Sequence, residues 1–174
     1  IWIDEGLAGL SEFINFGESA ELEEEANSWA LNSSTSLRWW DGRVSDVGSS
    51  FLFSAYLADK LGGPAAIRQM VSNPSLGGNG VENLARNPGP GSTPVGTSMS
   101  EIFANFSAAL TLDSAQGAFG FSEIDLIDDC SAGGFCKGSI SAENDQWSEA
   151  WQSSGHSVEG WGLKSFRFTQ GDGY

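Results

Sequence analysis

Histidine is almost absent from this sequence: among 174 residues only His156 carries an imidazole. Within these residues, a metal site built on a pair of helix-borne histidines is excluded. Cations are scarce too. Eight Lys and Arg stand against 23 Asp and Glu, giving a formal net charge of −15. No basic surface is left for phosphates, so nucleic acid is not expected as a partner. No apolar run reaches the roughly 18 residues that a membrane-spanning helix needs, so no membrane partner is expected either. Cysteine is limited to Cys130 and Cys136, too few for a zinc knuckle. Their Cys-Ser-Ala-Gly-Gly-Phe-Cys spacing suits a local disulfide loop closed over paired glycines. A disulfide implies a secreted or extracytoplasmic protein.

What is present is enough for one domain. The chain is 40% hydrophobic, which at this length supports a sizeable core. Residues 1–112 read as a helical subdomain. Residues 3–15 form a first helix, stopped by Gly17. Residues 20–31 form a second, with Ser19 as N-cap and a Glu cluster that complements the helix dipole. The polar loop 32–43 holds Trp39 and Trp40. Both cannot be deeply buried, because each indole N–H needs a partner; one is expected at a cleft and the other in the core. Residues 45–61 are apolar around most of the circumference and should form the central buried helix. Short helices follow at 64–72 and 80–86, separated by turn chemistry at Asn73-Pro74 and Gly77-Gly78-Asn79-Gly80. A Pro/Gly loop at 87–97 precedes a helix capped by Ser98 or Ser100, running to about residue 111.

From residue 113 the helical period fades and Gly becomes frequent. Phe119–Phe121, Ile124–Ile127 and Leu163–Phe168 read as short strands or extended segments, making 113–174 a tail of the same domain. The fold class expected is α+β, mainly α.

The candidate chemistry lies on the first helix. Glu5 and Glu12 are seven residues apart, about 20° off one line on a helix surface. Leu7, Leu10 and Ile14 form the expected buried stripe, with Phe13 beside it. Two carboxylates so aligned can be a metal ligand and its supporting group, or a solvated acidic face.

Trp2-Ile3-Asp4-Glu5-Gly6-Leu7-Ala8, followed by Glu12, resembles the third-ligand helix of the gluzincin zinc peptidases. There a Trp-Leu/Ile-x-Glu-Gly-x-Ala segment gives zinc a glutamate, and an upstream His-Glu-x-x-His helix gives two histidines. Further stretches are similar to the helical half of hyicolysin-like secreted peptidases: Trp40-Asp41-Gly42, Ser45 through Phe53, Leu61-Gly62-Gly63-Pro64, Phe119 through Leu126, and Val158 through Gly162. The resemblance covers most of the chain, although only the first-helix motif is specific. It implies the helical half of a zincin-like domain, with Glu5 as zinc ligand, Glu12 as its supporting residue and proteins or peptides as substrates. It also implies a missing upstream half, as a partner, that brings the histidines and the general base. Zinc would bind only with that half.

Besides the missing histidines, one feature departs from the family pattern. An oxyanion-stabilising Tyr or His is expected near the start of the long helix, but Val47 stands there and Tyr56 lies over two turns further on, as a core or rim residue. His156 sits among small residues in a loop and reads as a surface histidine. Glu123, Asp125, Asp128 and Asp129 form an acidic run where calcium is conceivable on oxygen count, though not on EF-hand spacing. The rival reading is a non-catalytic extracellular binding or structural module that keeps the helical scaffold.

Overall fold

The computed structural model describes residues 1–33, 35–72, 77–114, 116–127, 133–137 and 161. They form α1 (Trp2–Phe16), α2 (Ala20–Leu31), α3 (Val44–Leu61), α4 (Pro64–Ser72), α5 (Gly78–Arg86) and α6 (Met99–Leu112). The architecture is mainly helical. Among the described residues the β component is one isolated parallel bridge between Ile127 and Cys136. The strands expected at 119–121 and 124–127 therefore do not form a sheet. Side chains rather than ladder partners hold this stretch: Phe121, Ile124 and Leu126 are buried in the core. The segment expected at 163–168 lies outside the described residues. No described helix is long and apolar enough to cross a membrane.

The long helix α3 is the axis. Phe51, Phe53, Tyr56 and Leu57 are fully buried, which the all-round apolar pattern requires. Helices α1 and α2 pack against it through glycines. At Gly6 the backbone of α1 lies on the Ser50 carbonyl and Ser54 hydroxyl of α3, and Gly48 of α3 lies on the Glu25 carbonyl of α2. Helices can come this close only where one partner has no side chain.

These contacts rotate α1 away from the stripe expected from sequence. Its buried residues are Trp2, Gly6, Gly9 and Leu10, with Phe13 packed against Phe51 and Phe135. Leu7 is only half-buried and Ile14 is 57% exposed. Apolar periodicity misplaced the face because glycines carry the contact, and a glycine is invisible to a hydrophobic stripe.

Ser19 caps α2 through its side chain, accepting from Leu22 N at 3.2 Å. Ser98 caps α6, with Glu101 completing a capping box. The loop at 87–97 is tied down: Gly89 N donates to Leu61 O at 2.8 Å, Thr93 N to Lys60 O at 2.7 Å, and Val95 is buried. The stretch after α6 is pinned to α3 from the side. Tyr56 donates to Ala118 O at 2.8 Å, and Asp59 accepts from Ser122 Oγ at 2.6 Å while pairing with Lys60 at 2.9 Å.

Helix α2 holds the segment 133–137 with two side chains. Asn27 acts as a surrogate strand, donating to Gly134 O at 3.0 Å and accepting from Cys136 N at 2.9 Å. Glu23 accepts from Gly134 N at 3.0 Å. Phe135, fully buried, thereby seats between Phe13 and Phe51.

Candidate functional site

Glu5 is on the exposed side of α1, one residue from the Gly6 contact with α3. Close packing fixes its backbone while its carboxylate faces solvent. Glu12, half-buried, accepts from Ser19 Oγ at 2.7 Å. Its carboxylate thus clasps the start of α2, and among the described residues no hydrogen bond joins it to Glu5. The sequence spacing placed both carboxylates on one flank correctly. The Ser19 bond was not legible, because it depends on the turn that folds α2 back.

That flank is strongly anionic. Glu25 of α2 is pushed up to about 7 from an ordinary 4.5 by its own burial, and then by Glu21, Glu12, Glu5 and Glu24. Each neighbouring carboxylate disfavours a further negative charge. Sequence reading credited the α2 glutamates to the helix dipole alone. It missed that α1 brings Glu5 and Glu12 up to them.

This has a measurable consequence. Below about pH 4.5 Glu25 is neutral in both folded and unfolded chains and costs nothing; as pH rises to about 7 the folded state must ionise it at a penalty. Stability attributable to Glu25 is therefore lost across that window and level above it. Glu25→Gln should match the parent near pH 4 and exceed it above pH 7. Solvent screening of this half-buried group reduces the gain to roughly 1 kcal/mol. Thermal melts of both proteins at pH 4 and pH 8 check this, and parallel curves at both pH values would refute it.

The remaining candidates divide clearly. Val47 is half-buried in the first turn of α3 and offers no hydroxyl. Tyr56 is fully buried and its hydroxyl is engaged with Ala118. Burial first, then nearby Asp59, raises the phenol above its ordinary pKa. It is a core residue, not a donor to substrate. Glu123 and Asp125 are exposed, while Asp128, Asp129 and His156 lie outside the described residues. Cys136 is buried and no described cysteine is a free thiol; Cys130 lies outside the described residues. Trp39 is exposed and Trp40 packs partly against the core, so one of the pair is turned out and the other in.

Among the described residues no three His, Cys, Asp or Glu side chains converge as a metal site. Zinc in a catalytic site needs three protein ligands. Glu5 offers one, so these residues do not fit a zinc site by themselves. Neither a protein-family model nor a curated protein matches the chain.

Proposed function

We propose that this chain is the downstream part of a secreted zinc-dependent peptidase domain, supplying the third zinc ligand and the helical wall of the cleft, and inactive alone. The observation that carries the reading is the placement of Glu5. The Trp2–Ala8 motif lies on a helix whose backbone is locked to the central helix at Gly6, with the glutamate free on the open side. A ligand needs that combination of a fixed backbone and an accessible carboxylate. Glu12 supports it by fixing the α1–α2 flank, and a Cys130–Cys136 bridge suits a secreted domain. Exposed Ile14 and Phe16 on the same helix and Ile1 just before it supply apolar surface for the half that would bring the histidines. Calcium near residues 123–129 remains secondary to this proposal.

The test begins with the coding sequence upstream of Ile1. A His-Glu-x-x-His segment some 20 to 70 residues before Glu5, by analogy with the zincin motif, is the expected finding. The polypeptide containing both should then bind one zinc per chain. Glu5→Ala should weaken zinc binding by more than the roughly 10- to 100-fold typical of supporting residues, measured by competition with a chromogenic chelator. An upstream region without histidines, or unchanged zinc affinity in Glu5→Ala, defeats the proposal.

A second reading, a non-catalytic binding module, is favoured by Val47 and by the engagement of Tyr56 within the core. Neither residue supplies the hydroxyl that stabilises an oxyanion.

A further inference from the structure

Trp39 is 68% exposed, yet it is held in one orientation. Its indole N–H donates to Asp41 Oδ1 at 2.9 Å, and its main-chain N–H donates to Ser36 Oγ at 3.1 Å. The preceding Arg38 N–H shares that acceptor at 3.1 Å. Ser36 itself is buried. Asp46, also buried, anchors the other side of the loop: its Oδ2 accepts from Asp41 N at 2.9 Å and Arg43 N at 3.0 Å. Gly42, with a φ of 77°, makes the turn that aims both N–H groups at one oxygen; a side chain there would be strained. Among the described residues the other, buried Asp46 oxygen has no hydrogen-bond partner, a cost the structure bears. Two buried side chains thus fix a loop that presents an exposed indole.

The chemistry around the ring selects a ligand. The N–H edge is occupied, so the free feature is the π face. A protein partner's hot spot would sit among apolar neighbours, whereas the exposed residues following Trp40 in the loop are Asp41, Gly42 and Arg43, with Asp41 and Arg43 ion-paired. The Asp41–Arg43 pair leaves no net charge beside the ring to select a charged ligand. A neutral pyranose meets each requirement. Its C–H face is apolar and flat enough to lie on indole, and its hydroxyls both donate and accept, matching Asp41 and Arg43. Preorganisation of the ring lowers the ordering cost of binding.

We infer that Trp39, with Asp41 and Arg43, is the platform of a neutral-saccharide binding site, independent of the zinc reading. The test is native affinity electrophoresis of the 174-residue chain in gels containing soluble starch, hydroxyethylcellulose or laminarin. Retarded migration in at least one gel is expected. Trp39→Ala should weaken that affinity at least about tenfold, as truncating an aromatic anchor does. Trp39→Phe should retain part of it, and Phe119→Ala, which removes a different exposed aromatic, should retain all of it. A melt of Trp39→Ala close to the parent's excludes unfolding as the cause. Absence of retardation in all three gels overturns the inference, as does retardation that survives Trp39→Ala. Quenching of Trp39 by a proline-rich peptide but not by these saccharides overturns it in favour of a peptide groove.

Discussion

Gly48→Ala should sharply destabilise this protein. The new Cβ would overlap the carbonyl carbon and oxygen of Glu25 and crowd the amide nitrogen of Ala26, all backbone atoms of α2. A side chain can rotate out of a clash; a helix backbone cannot. Relief would require α2 to lift off α3, withdrawing Leu22, Ala26 and Trp29 from the core. Helix propensity works the other way, because Ala is favoured over Gly by about 1 kcal/mol in a helix interior. Overpacking ordinarily costs roughly 1–3 kcal/mol, and more against rigid backbone. The clash therefore wins, with an expected net loss of at least about 3 kcal/mol. For a domain of this size that is a fall of roughly 6–12 °C in melting temperature, or insoluble protein. Gly78→Ala is the internal control. Its Cβ would meet only Met99 Cγ at an ordinary 3.6 Å, so its melt should stay within about 2 °C of the parent. Equal melts for the two variants would show that α2 and α3 are not in this contact.

Phe106→Ala should cost about 3–5 kcal/mol, the range for emptying an aromatic core site. The ring is fully buried and sits at a junction. It stacks on Trp29 at 5.8 Å and meets Phe53 edge-on at 5.1 Å, Tyr56 at 5.5 Å and Phe103 at 5.9 Å. Removing it deprives α2, α3 and α6 of a shared contact at once. Its neighbours are themselves large buried rings of three helices, and two of them, Phe53 and Phe103, already touch each other, so no small rotamer change refills the space. Against a typical total stability of about 5–15 kcal/mol, that is a large fraction. Urea unfolding should show a lower midpoint. Phe119→Ala, at a 44% exposed ring, should lose under about 1 kcal/mol in the same assay. A Phe106→Ala midpoint as mild as that would mean that α6 does not pack on the α2–α3 pair.

The helices were legible because their signals are local. Ser19 and Ser98 cap the helices they precede, and Gly62 closes α3 in a left-handed conformation. The apolar girth of 45–61 marked the central helix without any tertiary knowledge. That residues 119–127 do not form a sheet among the described residues was not legible. Phe121, Ile124 and Leu126 have the composition of extended backbone, but a strand needs a neighbour, and here the core takes the side chains while the ladder goes unbuilt. The candidate site was half legible: Glu5 and Glu12 on one flank follow from helical spacing, whereas the ionisation of Glu25 does not.

By itself, then, the sequence determined the helices and their approximate limits, the acidic character of the chain and the carboxylate flank of α1. Each follows from periodicity, capping or composition within a few residues. Only the tertiary structure decided which face of α1 is buried, that Glu12 clasps Ser19, that Glu25 lies among four other carboxylates, and that Trp39 is held outward while Trp40 packs inward. These outcomes turn on distances between segments far apart in sequence. They are set by glycine contacts and buried polar anchors such as Gly6, Gly48 and Asp46, whose effect exists only once the helices meet.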